Sequence, residues 1–253
     1  MERWTGRVAL VTGANSGIGA AVTRLFVENG MKVAGVDLDI TNIQTMASEL
    51  TANSIYPVKA DVTREDDVIN AVKWTRDNLG GADVLVNCAG IFHQCALTEF
   101  HVERTRKMFE VNVFGLCMFT REVVNDIRDR GIDDGHIFNI CSIAGQMMMS
   151  KSDFTMYCAS KHAVRVFSEG LRQELRNLGT KIRVTNMSPG IVHSNLYSTP
   201  DSGIGPEAAS VMFTRNPTLQ PQDVAKAILY ALSAPPDVQV HELTIRPTGE
   251  LVF

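Results

Sequence analysis

Short apolar runs alternate with amphipathic segments along most of this chain. Residues 7–12 form an apolar run of strand length that ends at a glycine cluster. Residues 20–30 carry apolar positions at helical spacing and close on Gly30, suited to a helix C-cap. Residues 32–37 read as a second strand, 56–62 as a third and 82–87 as a fourth, and 66–78 as an amphipathic helix. A longer helical segment, 104–129, has an apolar face made by Met108, Val111, Phe114, Leu116, Phe119 and Val123. The run 136–141 is apolar enough for a buried strand, and beyond Tyr157 the helical spacing returns. Runs 181–187 and 238–246 make the sixth and seventh strands. Strands alternating with helices predict an α/β fold: one doubly wound domain over residues 1–253, with a seven-stranded, mostly parallel sheet covered on both faces.

The glycine cluster reads Gly13-Ala-Asn-Ser-Gly-Ile-Gly19 and sits between a strand and a helix. That setting is the one a dinucleotide-binding, Rossmann-type unit requires. Gly13 lets the chain turn out of the strand, Gly17 lets backbone approach a diphosphate, and Gly19 lets the helix pack closely. Asn15, Ser16 and Ile18 complete the loop, and the helix N-terminus offers free N–H groups to an anion. Asp37 ends the second strand eighteen residues after Gly19, near the spacing of an acid that accepts hydrogen bonds from a ribose. It reads either so or as a solvated turn acid. As a ribose ligand it would repel a 2′-phosphate. Leu38 follows it, and Asn15 is neutral, so the expected cofactor is NAD, with NADP disfavoured and alcohol oxidation the expected direction.

Tyr157 and Lys161 are four residues apart on a helical pattern, hence on one face. A tyrosine titrates near pH ~10, and bringing it near ~7 takes about 3 units, roughly 4 kcal/mol. One cation about 4 Å away at an effective dielectric of about 20 supplies roughly that much. The pair reads either as an ordinary surface pair or as an acid/base centre whose phenol Lys161 tunes. Ser142 follows the fifth strand, where an α/β sheet presents polar groups to a ligand, and its hydroxyl suits a carbonyl or alcohol oxygen.

Composition narrows the function classes. The 253 residues are 45% hydrophobic with a net charge of −4. A pI near 5.9 gives no electrostatic reason for a nucleic-acid partner or an anionic membrane. No apolar stretch reaches the length of a membrane span, and no signal-type core opens the chain. Five cysteines with no Cys-x-x-Cys read as reduced thiols of a cytoplasmic protein, with no metal expected. Cys158, beside Tyr157, is the one thiol to watch as a nucleophile.

These residues together resemble the short-chain dehydrogenase/reductase family. The matching positions are Thr12-Gly13 with Gly17 and Gly19, Asp61-Val62, Asn87 with Ala89-Gly90, Asn112, Ser142, Tyr157, Lys161, and Pro189-Gly190 with Val192 and Ser194. Within the family the chain looks most like the subgroup of the SDR family member 11 proteins and the insect farnesol dehydrogenases. Runs such as Asp134-Gly-His-Ile137 and Arg246-Pro-Thr248 carry that likeness. The resemblance implies a catalytic tetrad in which Tyr157 moves the proton, Lys161 lowers its pKa and holds the ribose, Ser142 orients the substrate and Asn112 holds a relay water. Read from the residues alone, Asn112 is equally a satisfied core amide. The resemblance further implies that Asp61 and Val62 border adenine, that Asn87, Ala89 and Gly90 line the adenosine side, and that residues 189–194 reach the nicotinamide amide. Three departures stand out. Cys88 replaces an Asn that ties the sheet together, Ser194 replaces a Thr, and the subgroup's basic residue after the second strand is absent.

Residues 191–215 read as a long loop and short helix forming a substrate side. Met147, Leu196, Val211 and Phe213 are expected to join Ser142 and Tyr157 around a lipophilic substrate, unless they are ordinary core. The expected reaction exchanges a hydride with a lipophilic alcohol or carbonyl such as farnesol, alternatively a steroid or a general carbonyl substrate. A non-catalytic cofactor-binding protein, or an epimerase or dehydratase on the same fold, are the competing classes. Family members commonly form homodimers or homotetramers, the assembly expected here.

Overall fold

The computed structural model describes residues 1–50, 52–149 and 152–250. In chain order the first half comprises β1 (Val8–Thr12), α1 (Gly17–Glu28), β2 (Lys32–Asp37), α2 (Thr41–Glu49), β3 (Ile55–Lys59), α3 (Glu65–Leu79) and β4 (Val84–Asn87). Then come α4 (Val102–Phe109), a π-helical turn (Glu110–Gly115), α5 (Leu116–Asp129) and β5 (His136–Ile140). The chain continues through α6 (Thr155–Asn177), β6 (Arg183–Pro189), α7 (Pro206–Arg215), α8 (Pro221–Ser233) and β7 (Glu242–Ile245).

The seven strands form one sheet in the order β3-β2-β1-β4-β5-β6-β7, each neighbouring pair parallel. A parallel sheet is covered on both faces, which is why β1, β4, β5 and β6 are buried at every position. Alternate residues of each strand serve opposite cores. Ala9, Val11, Val84 and Val86 meet α1 and α8 residues such as Phe26 and Ile228, whereas Leu10, Leu85 and Ile137 meet Phe119, Val123 and Leu175. The strand order reverses between β1 and β4, so a crevice opens beyond their C-terminal ends.

Two helices lie where the sequence pattern assigns none. The α2 helix buries only Ile43 and Met46, and its N-terminus is held by remote groups: Asn15 Oδ1 accepts from the N–H of Asn42 (2.9 Å) and Ile43 (3.2 Å). The α8 helix opens on a capping box between Gln220 and Asp223 with Pro221 at its start. The long helix expected over 104–129 is interrupted by the π turn, and β3 ends at Lys59, leaving Asp61 and Val62 in the following loop.

A buried polar row crosses the second core. Asn87 Nδ2 donates to Thr120 Oγ1 and to Asn139 Oδ1, both at 2.9 Å, and Asn139 Nδ2 donates to Ser168 Oγ at 2.9 Å. Cys88 therefore costs the sheet no tie, because Asn87 makes it. Beside it, Thr12 Oγ1 accepts from the N–H of Cys88 and Ala89, each at 3.1 Å, closing β4 against β1.

Candidate active site

A cavity of about 510 Å³ fills the crevice beyond the strands' C-terminal ends. The glycine loop forms its floor, with Gly13, Ser16, Gly17 and Ile18 in the lining. Gly13 has φ +68°, and a Cβ there would come within 2.9 Å of the Ala89 backbone. Gly19 lies behind the lining, where a Cβ would collide with the Gly13 carbonyl. The α1 N-cap, Ser16, makes no side-chain cap, so the first N–H groups of α1 stay available to a ligand. Asp37, Leu38, Asp61 and Val62 line one end, Ala89 and Gly90 the middle, and Pro189, Gly190, Val192, Ser194 and Leu196 the far wall.

Asp37 Oδ2 accepts from the Asn15 N–H at 3.0 Å and Oδ1 from the Asp39 N–H at 3.4 Å. Burial raises its carboxyl above the ordinary range, and the backbone N–H groups of Asn15, Asp39 and Leu38 work against that rise. Leu38 is exposed at 59%. Lys107 from α4 also lines the cavity, and Lys59 lies opposite Asp37 in the β2–β3 register.

Ser142, Tyr157 and Lys161 come together in the lining. Ser142 follows β5 and its Oγ accepts from the Ala144 N–H at 3.1 Å. Tyr157 and Lys161 are both 6% exposed on α6. Lys161 Nζ donates to the Ile140 carbonyl at 3.0 Å and stands 5.9 Å from the centre of the Tyr157 ring. Burial pushes the Tyr157 phenol well above its ordinary value, while a hydrogen bond with the Ser142 side chain draws it back. Burial lowers the Lys161 ammonium, opposed by the thiols of Cys141 and Cys88. The expected lowering of the Tyr157 pKa by Lys161 is thus not what the protein's own groups produce.

Several residues expected at the site lie outside the lining. Asn15 caps α2 instead, and Asn87 turns away into the amide row. Asn112, in the π turn, has its side-chain amide satisfied: Oδ1 accepts from the Ile91 N–H (2.8 Å), and Nδ2 donates to the Ile91 carbonyl (2.9 Å) and to Ser160 Oγ (3.3 Å). Met147 and Val211 are 36% and 49% exposed, and the Phe213 ring packs at a tilt against His193, ring centres 4.4 Å apart. Cys158 is buried among apolar neighbours, and burial raises its thiol.

Ile91 and Cys141, which the sequence pattern does not mark, line the cavity beside Leu196 and Tyr197. Phe92 backs them, with its ring 5.0 Å from Tyr157 and 5.2 Å from Tyr197. The cavity thus has a polar, glycine-floored end and an apolar, aromatic end, which meet at Ser142 and Tyr157. No group of three metal-ligating side chains occurs among the described residues.

Comparison with known proteins agrees with this arrangement. Residues 7–216 match the family described as short chain dehydrogenase. The chain is 40% identical over 256 residues to dehydrogenase/reductase SDR family member 11 of Gallus gallus, covering 99% of this chain and 100% of that protein. It is 39% identical over 254 residues to the farnesol dehydrogenase of Aedes aegypti, covering 99% of each. Among solved structures, the closed form of a serine dehydrogenase complexed with NADP+ superposes with a TM-score of 0.87 at 30% identity, covering 96% of each chain. This chain belongs to the short-chain dehydrogenase/reductase family of nicotinamide-dependent oxidoreductases.

Proposed function

We propose that this chain exchanges a hydride between a nicotinamide cofactor, NAD in preference to NADP, and a lipophilic alcohol or carbonyl such as farnesol or another terpenoid alcohol. One observation carries the reading: Ser142, Tyr157 and Lys161 meet in a single cavity where the glycine-floored end joins the apolar end. The residues fit a dinucleotide. The α1 N-terminus is left uncapped for a diphosphate, and Asp37 offers a carboxylate to ribose hydroxyls. The cofactor supplies the hydride donor or acceptor when bound, and its oxidised ring carries a positive charge. Tyr157 accepts the alcohol proton in oxidation and returns it to the carbonyl in reduction. Ser142 holds the substrate oxygen beside the phenol. Lys161 holds the ribose end and adds a positive field. Ile91, Leu196 and Tyr197 exclude water and grip an apolar chain.

The farnesol dehydrogenase of Aedes aegypti supports the terpenoid substrate. The NADP+ bound to the serine dehydrogenase neighbour argues for the other cofactor, and Asp37 followed by Leu38 is the reason for preferring NAD here. The exposed apolar residues Phe114, Val166 and Phe167 support a homodimer or homotetramer. Five free cysteines suit a reducing, cytoplasmic setting. The test is a screen of terpenoid alcohols, steroids and short alcohols with NAD and NADP, following cofactor absorbance. Turnover of a lipophilic alcohol, lost by roughly 10²–10⁴-fold in Tyr157→Phe with cofactor binding retained, is the expected result. No redox change with any substrate, or a Tyr157→Phe variant keeping more than about a tenth of the rate, would defeat it.

A further inference from the structure

We propose that Glu250 is a positioning residue that braces the loop following β6 and so fixes the nicotinamide end of the cofactor; this rests on the cofactor reading above. Residues 190–194 cross the far wall of the cavity after β6, and their backbone is pinned at successive points. The Gly190 N–H donates to the Ile245 carbonyl at 2.8 Å, and the His193 N–H donates to the Leu219 carbonyl at 2.8 Å. Between them, the Ile191 N–H donates to Glu250 Oε1 at 3.0 Å. That bond is the side-chain contribution to an otherwise backbone set. The Val192 N–H has no partner among the described residues, so the brace leaves it free for a ligand.

Glu250 is built into this place. Its side chain is 1% exposed, and Oε2 pairs with Nε of Arg246, four residues earlier. The Glu250 N–H closes the turn on the Pro247 carbonyl at 3.0 Å. A buried carboxylate is costly, and one aimed at a loop N–H offsets that cost only if the loop stays in place. Gly190 records the close approach: a Cβ there would lie 2.6 Å from Glu250 Oε1 and 3.0 Å from Pro247 Cδ. The carboxylate is felt on the cavity wall as well, where it adds to the burial that pushes the Tyr197 phenol up to about 12. Removing the acceptor orphans the Ile191 N–H and releases the loop at the nicotinamide side. The adenosine side, resting on the glycine loop and Asp37, keeps its contacts.

The test compares NADH with ADP-ribose, which lacks the nicotinamide, by calorimetric titration of wild type, Glu250→Ala and Glu250→Gln. Glu250→Ala is expected to weaken NADH about tenfold or more while ADP-ribose stays within about twofold. Glu250→Gln keeps an oxygen for the Ile191 N–H and is expected to bind NADH within about threefold of wild type. NADH binding unchanged in Glu250→Ala overturns the proposal. Equal weakening of both ligands overturns it too, because the role would then be general to the fold. A wild type that binds neither ligand defeats the cofactor reading itself, and this proposal with it.

Discussion

Asp37 sets the most quantitative prediction. Its carboxylate lines the adenosine end of the cavity and is oriented by the Asn15 and Asp39 N–H groups. A 2′-phosphate about 4 Å away would meet a repulsion of roughly 4 kcal/mol per unit charge at an effective dielectric of about 20. Exposure and salt reduce this. A net of about 3 kcal/mol corresponds to roughly 10²-fold in catalytic efficiency, since each 1.4 kcal/mol is about tenfold. The assay is kcat/KM for NAD and NADP with one alcohol at fixed ionic strength. Asp37→Ala with Leu38→Arg should reverse the preference, because Leu38 is exposed at the cavity rim and an Arg there meets the phosphate. Burial raises the Asp37 carboxyl, so its charge is lost earlier as pH falls and the preference should narrow on acidification. Equal or better efficiency with NADP in the wild type would refute the reasoning.

Two further outcomes follow from the site. Because burial holds the Tyr157 phenol high, the basic form that oxidation needs gains population as pH rises, so kcat/KM for alcohol oxidation should rise with pH while carbonyl reduction falls; an oxidation profile that falls with rising pH would contradict this. Along a series of primary alcohols ending in farnesol, kcat/KM should rise about fourfold for each methylene buried against Ile91, Leu196 and Tyr197, since each is worth about 0.8 kcal/mol; a flat or falling series would remove the lipophilic reading.

The sheet was legible because β1, β4, β5 and β6 are buried on both faces and so read as continuous apolar runs. The α2 helix was not, since two buried residues make no stripe and its N-terminal cap comes from Asn15, twenty-seven residues away in sequence. The α8 helix did carry local signals, in Pro221, the Gln220–Asp223 box and apolar residues at Val224, Ile228 and Leu232. The π turn has no periodic signature at all. Its Glu-Val-Asn-Val-Phe-Gly sequence continues the helical pattern on both sides. Asn87 was assigned to the cofactor through its motif, yet strand alternation puts it on the face of Leu85, toward α5 and away from the crevice.

The acid/base pair shows why spacing alone could not finish the site. Four residues on a helix bring Tyr157 and Lys161 to one face, and they do lie together. Sharing a face does not fix where an ammonium points. Lys161 sends Nζ to the Ile140 carbonyl and leaves it 5.9 Å from the phenol ring, while burial acts on both groups against their charged forms. The opposing influences come from Ser142 on Tyr157 and from the thiols of Cys141 and Cys88 on Lys161. On the proposed reading, an oxidised nicotinamide cofactor would add a positive charge to the cavity that Tyr157 and Lys161 line, which favours the phenolate. The phenolate is then more populated when an oxidised cofactor is bound than without it. Proton abstraction is thereby tied to the presence of a hydride acceptor, and an alcohol entering the cavity alone meets a neutral phenol.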